Sequence, residues 1–197
     1  QADVRHFVEL CGEAGLRVIL RPGPFIGSGY DGGGLPAWLS SEPGIQFRQR
    51  SDAFIDRVGR WSRKLASEIA DLQMTKEGPI LLMQVEHAWA CGNDEESTRY
   101  IGELSRILRE CGISVPLFNA NNLWCDPAGT IDTWQGEDDL LANLRQFRTV
   151  QPDAPRLVSG FDPSGRSTWG GSDDDALAPD DAMRRVAQIL AAGAQPI

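Results

Sequence analysis

Apolar residues recur along this chain in two alternating patterns, one in steps of three or four and one in short unbroken runs. Residues 2–14 carry Val4, Phe7, Val8 and Cys11 at helical spacing, and Gly15 follows where a helix commonly ends in a left-handed residue. Arg17-Val-Ile-Leu20 then reads as a strand that stops at Pro22. Residues 22–50 are rich in Pro and Gly and show no period, which predicts a long connection. Residues 51–72 predict the longest helix, with Ser51 as its N-cap. Its stripe of Phe54, Val58, Trp61, Leu65, Ile69 and Leu72 is expected to face the core, Trp61 included.

The alternation continues to the end of the chain. Pro79–Val85 is nearly all apolar, as a strand buried on both faces should be. A helix over 96–111 turns Ile101, Leu104, Leu108 and Cys111 inward and ends at Gly112. Val115–Phe118 and, more weakly, Thr130–Trp134 read as strands, and a helix over 138–149 carries Leu141, Leu144 and Phe147. The last pair is a strand at 156–159 and a helix at 180–192, with Met183, Val186, Ile189 and Leu190 expected inward. Continuously apolar strands that each precede a helix imply a parallel sheet with helical crossovers.

An open doubly wound sheet and a barrel both satisfy that pattern. No glycine fingerprint for a dinucleotide follows the first strand. Polar, aromatic and irregular sequence instead lies just after strands, at 22–50, 86–95, 119–128 and 160–178, where a barrel builds its active-site face. The expected fold class is therefore α/β, a parallel β/α barrel.

Charge and composition narrow the function only a little. A net charge of −9 argues against a nucleic-acid partner, and no run is long and apolar enough to predict a membrane span. The four cysteines, Cys11, Cys91, Cys111 and Cys125, and the two histidines, His6 and His87, lack the close spacing of a zinc or redox motif. No metal and no cofactor is expected. Cys11 and Cys111 read as small core residues, and spacing decides nothing about disulfides. The acidic run Ser172–Asp175 reads as a solvated loop ahead of a helix.

Three segments carry a family resemblance. They are Gly15-Leu-Arg-Val-Ile-Leu-Arg-Pro-Gly-Pro-Phe-Ile26 resuming at Gly33-Gly-Leu-Pro-Ala-Trp-Leu39, then Gly78–Glu86, then Pro155–Phe161 with Trp169-Gly170 beyond. In this order and spacing the chain resembles the family 35 glycoside hydrolases, whose best-known activity is β-galactosidase. The resemblance covers essentially the whole chain. It implies a partial parallel (β/α)8 barrel, with residues 1–197 forming one incomplete domain and the first two strands and the end of the eighth in remaining barrel segments of a parent chain. Made alone, such a piece is expected to aggregate or stay partly molten, because strand edges go unpaired. Relatives in the family are often secreted, periplasmic or lysosomal.

The resemblance also locates the chemistry. Retaining glycosidases flank the scissile bond with two carboxylates about 5–5.5 Å apart, one acid/base and one nucleophile. The family's fourth strand runs Gln, aliphatic, Glu, Asn, Glu, with the second Glu as acid/base; here the run is Gln84-Val85-Glu86-His87-Ala88. Ala88 thus stands at the acid/base position, and His87 stands where an asparagine would hold a sugar 2-hydroxyl. The nucleophile position falls on Gly160, and the cysteine and glutamate that grip galactose fall on Gly27 and Gly29. The implied function is a barrel acting on or binding carbohydrate, inactive as a retaining β-galactosidase.

Other carboxylates are candidates for the missing pair. Strand alternation points Glu86 the same way as Ala88, roughly 6.5 Å deeper, and Asp162 follows Gly160 by two residues. That displaced pair suits an inverting mechanism better than a retaining one. Glu86 reads better as a structural carboxylate beneath the site, since the family keeps a Glu there. Tyr30, Asp31, Trp38, His87 and Trp89 are expected to contact substrate, because aromatic rings pack on the C–H faces of sugars. An unperturbed imidazole titrates near neutrality, which would suit His87 to general acid/base work, but it reads better as a hydrogen-bonding stand-in for asparagine or a sugar contact. A reading from another class stays open: a degenerate, non-catalytic carbohydrate-binding or scaffold barrel.

Overall fold

Local signals set the helix ends in the computed structural model, which describes residues 3–27, 31–89, 95–120, 129–136, 139–161 and 178–196. The Asp3 carboxylate caps α1 (Val4–Glu13) by accepting from the His6 N–H at 3.0 Å, and Gly15 beyond it sits at φ 74°. Ser51 Oγ likewise caps α2 (Asp52–Ile69) through the Phe54 N–H. Between these helices lies β1 (Val18–Leu20), followed by single 3-10 turns at Asp31–Gly34 and Ala37–Ser41 within the long connection. Then come β2 (Ile80–Gln84), α3 (Glu95–Glu110), β3 (Leu117–Asn119), β4 (Thr130–Gln135), α4 (Leu140–Val150), β5 (Leu157–Gly160), α5 (Pro179–Ala191) and β6 (Gln195–Pro196). Pro179 opens α5, with Asp180 and Asp181 against its positive N-terminal dipole.

The chain forms two compact units, the first running through β3 and the second built from Asp132 of β4 onward. In the first, β1 pairs parallel with β2 (Val18 opposite Ile80), and β2 pairs parallel with β3 (Met83 opposite Leu117). Its core joins Val8 of α1, Phe54, Val58 and Ile69 of α2, Ile80 and Met83 of β2, and Ile101 and Leu104 of α3. A buried glutamine fixes the approach to β3. Gln73 Oε1 accepts from the Ser114 and Val115 N–H groups at 2.6 and 3.1 Å, while its Nε2 donates to the carbonyls of Ala70 and Gly112. In the second unit β5 pairs parallel with β4 and β6, over a core of Leu140, Leu144, Val158 and Ile189.

Some residues expected inside lie outside. Trp61 is 52% exposed although it stands in the middle of the α2 stripe. An indole needs a partner for its N–H, and Trp61 Nε1 finds the Pro22 carbonyl at 3.0 Å, which holds the ring at the surface. Phe7, Met183 and Leu190 are also exposed. Each helix buries one narrow row, through Val8 in α1 and Ile189 in α5, and these three residues sit about 100° around the helix from it. Cys11 and Cys111 are half-buried free thiols, and Cys111 packs against the first core.

Candidate functional site

The C-terminal ends of β1 and β2 point the same way, so the segments that leave them meet. β2 stops at Gln84, and the chain then turns with Glu86 at φ 60° and Ala88 at φ 47°. Left-handed residues do not continue a strand's alternation. The expectation that strand alternation points Glu86 and Ala88 the same way therefore fails at the first residues past the strand.

Glu86 is 1% exposed and held from three sides. Tyr100 of α3 donates its hydroxyl to Oε2 at 2.5 Å, the His87 N–H donates to Oε1 at 3.0 Å, and Arg48 Nη2 lies 3.4 Å from Oε1. Burial pushes the Glu86 carboxyl above its ordinary range, against the opposing pull of Arg48, Tyr100 and the His87 N–H. Each donor turns the carboxylate inward.

Arg48 organises the turn. It sits at φ 55° ahead of α2, with its guanidinium 3.9 Å from the Phe25 ring centroid and 4.8 Å from that of Trp89. Its Nη2 donates to the carbonyls of His87 and Ala88 at 2.5 and 3.2 Å, so one side chain grips the backbone at two successive residues. Trp89 packs in turn on Tyr100, ring centroids 5.0 Å apart. Beside this cluster opens a pocket of about 390 Å³ lined by Arg48, Trp89, Gln46, Gln49, Arg50 and Ser97 among others.

His87 leans on the segment leaving β1. A Cβ built on Gly27 would stand 2.8 Å from His87 Cδ2 and 3.0 Å from Nε2, and Gly27 has φ 64°. Only glycine meets both demands there. Burial, then the charges of Arg21 and Arg48, lower the pKa of the imidazole, and its Nδ1 is buried without a hydrogen-bond partner. Gly33 is constrained in the same way, since its Cβ would lie 1.8 Å from the Phe25 ring.

Of the expected site residues, Glu86, His87, Ala88 and Trp89 come together with Gly27. Trp38 is placed differently: 58% exposed, it lines a groove of about 540 Å³ with Trp61, Pro22, Pro24 and Arg57 beside α2. Gly160 ends β5 in the second unit, where a Cβ would lie 2.5 Å from Gln135 Cγ. Tyr30, Asp162 and the side chain of Asp31 lie outside the described residues, as do Gly29, Trp169, Gly170, Cys91 and Cys125. Among the described residues no group of three or more His, Cys, Asp or Glu is placed to hold a metal, and no helix is long and apolar enough to cross a membrane. Sequence reasoning missed Arg48 and Tyr100. Tyr100 was detectable, one turn before Leu104 on the buried stripe of α3, whereas nothing in Gln46-Phe-Arg-Gln-Arg50 distinguishes Arg48.

The chain is 30% identical to human beta-galactosidase-1-like protein 2, across 97% of this chain and 30% of that protein. It is 34% identical to mouse beta-galactosidase, across 85% of this chain and 27% of that protein. It therefore spans less than a third of the length of these relatives. Among solved structures, a beta-D-glucuronidase from Dictyoglomus thermophilum superposes with a TM-score of 0.61 at 13% identity, over 94% of this chain and 33% of that one. That likeness concerns the fold, a partial parallel (β/α)8 barrel. Residues 1–195 match the family described as glycosyl hydrolases family 35, and the chain belongs to it.

Proposed function

We propose that this chain is a carbohydrate-binding family 35 barrel that has lost cleavage by the retaining, two-carboxylate route. One observation carries the reading: Glu86, the carboxylate at the end of β2, is buried and committed to Tyr100, the His87 N–H and Arg48. A general acid must reach the leaving oxygen within hydrogen-bond distance, directly or through one water. Glu86 acts instead as the structural carboxylate of the turn. Ala88 offers no ionisable group and Gly160 no side chain.

Carbohydrate as the ligand is supported by the family and by the mix of aromatic and hydrogen-bonding groups around Trp89, Arg48, Gln46 and Gln49. His87 and Trp89 are assigned to ligand contact, with Tyr30, Asp31 and Trp38 as further candidates. Two assays together test the reading. Calorimetric titration with methyl β-glycosides should give binding, and 4-nitrophenyl β-glycosides should release no nitrophenol above the blank. Turnover abolished by Glu86→Gln would contradict the proposal. Turnover that survives Glu86→Gln but is lost in Asp162→Asn would move the acid to Asp162.

A further inference from the structure

Three large apolar side chains that each stand at least half exposed, Ile26, Trp38 and Trp61, converge on the groove of about 540 Å³ beside α2. The rings of this groove are fixed before any ligand arrives. Trp61 Nε1 donates to the Pro22 carbonyl at 3.0 Å. Arg57 Nη2 donates to both carboxylate oxygens of Glu42, at 2.8 Å each, which ties the end of the Ala37–Ser41 turn to α2. That bond also leaves the Arg57 guanidinium 5.9 Å from the Trp38 ring centroid. A ligand entering here has little left to order.

The donors and acceptors of the groove select a ligand. Among the described residues that line it, only Trp38, Trp61, Arg57 and Arg60 carry side-chain polar atoms, and indole and guanidinium groups donate without accepting. Trp61 and Arg57 spend donors on Pro22 and Glu42, whereas the Trp38 indole N–H and the Arg60 guanidinium make no hydrogen bond or ion pair among the described residues. In a chain of net charge −9, the charged groups of this lining are therefore cations alone. A sugar brings hydroxyls that donate as well as accept, and no side chain here accepts. A carboxylate only accepts. The walls are built from ring-bearing side chains, Pro22, Pro24, Pro36 and Phe54 with the two tryptophans, which suit a flat apolar body, and the volume suits a small molecule. We propose that this groove is a binding site for a small aromatic carboxylate, its ring against Trp38 and Trp61 and its carboxylate on Arg60. The site shares no lining residue with the pocket at Arg48 and Trp89, and it does not depend on the carbohydrate reading above.

The probe is 2-naphthoate, titrated at pH 7 into the nitrogen-15-labelled protein while the indole N–H signals are followed, with assignments from Trp38→Phe and Trp61→Phe. Saturable shifts of the Trp38 and Trp61 signals are expected, with that of Trp89 unmoved. The neutral 2-naphthalenemethanol keeps the ring without the charge and should bind about 10-fold more weakly. Arg60→Gln should weaken naphthoate to the level of the alcohol and leave the alcohol unchanged, and Arg60→Lys should recover part of the loss. Arg60 is exposed and unbonded among the described residues, so the thermal melt of both variants should match that of the unmodified protein. Naphthoate that moves neither signal, or that binds Arg60→Gln as tightly as the unmodified protein, overturns the proposal. Methyl β-galactoside or methyl β-glucoside moving the same two signals at lower concentration than naphthoate also overturns it, and makes the groove a sugar site.

Discussion

The ends of β2 and β5 carry the two positions at which the family resemblance expects catalytic carboxylates, and the residues found there, Ala88 and Gly160, have different surroundings. At the end of β2 the surroundings remain furnished. Arg48 holds two carbonyls, Glu86 is satisfied from three sides, and Ala88 stands in a well-braced turn. At the end of β5 the space itself is occupied, because the Gln135 side chain lies where a side chain of residue 160 would begin. A small residue in a braced turn and a glycine packed against a neighbour respond differently to substitution.

The largest expected effect is on the bracing. Glu86→Ala leaves the Arg48 guanidinium without its carboxylate and the Tyr100 hydroxyl without its acceptor, and should destabilise the fold by about 3 kcal/mol in urea unfolding. A loss below about 1 kcal/mol would mean that the cluster does not hold the turn. Gly160→Glu comes next, at about 1–3 kcal/mol, because Gln135 must move to admit the new side chain. Adding Gln135→Ala should return most of that loss, whereas additive costs would erase the claimed difference between the two ends. Ala88→Glu should change stability by no more than about 0.5 kcal/mol, since the residue there is already left-handed and its carbonyl is already held.

The pH responses are smaller and of opposite sign. A carboxyl raised in the folded state favours folding while it is protonated and loses that contribution as pH climbs through its folded pKa. Stability should therefore decline with rising pH above the ordinary glutamate range, and Glu86→Gln should remove that slope. Asp71 goes the other way. Two hydrogen bonds from the Arg5 guanidinium, at 2.9 and 2.7 Å, hold its carboxyl down to about 2, so that contribution is lost as pH falls from the ordinary aspartate range through about 2. Arg5→Ala should flatten the acid limb of the unfolding profile slightly, because the pair is exposed.

Much of the fold was legible because it is written in periods. The stripe Phe54, Val58, Leu65, Ile69 and the unbroken run Ile80–Met83 state a helix and a strand whatever surrounds them. The site was less legible, and the reason is backbone conformation. Arg48, Glu86 and Ala88 all have positive φ without being glycine, so no period and no turn residue announces where their side chains go. The alternation argument for Glu86 failed at that point, and Arg48, 38 residues earlier in the chain, went unnoticed as the partner of the turn. Trp61 failed for a different reason: spacing sees that a residue is apolar but not that its indole N–H needs an acceptor.

The most direct test of the account is a paired measurement on the unmodified protein, calorimetric binding of methyl β-glycosides beside release of nitrophenol from the matching 4-nitrophenyl β-glycosides. The account predicts saturable binding of at least one sugar with release no faster than the uncatalysed blank. Release well above the blank, abolished by Glu86→Gln in a variant that still folds and binds, would contradict it.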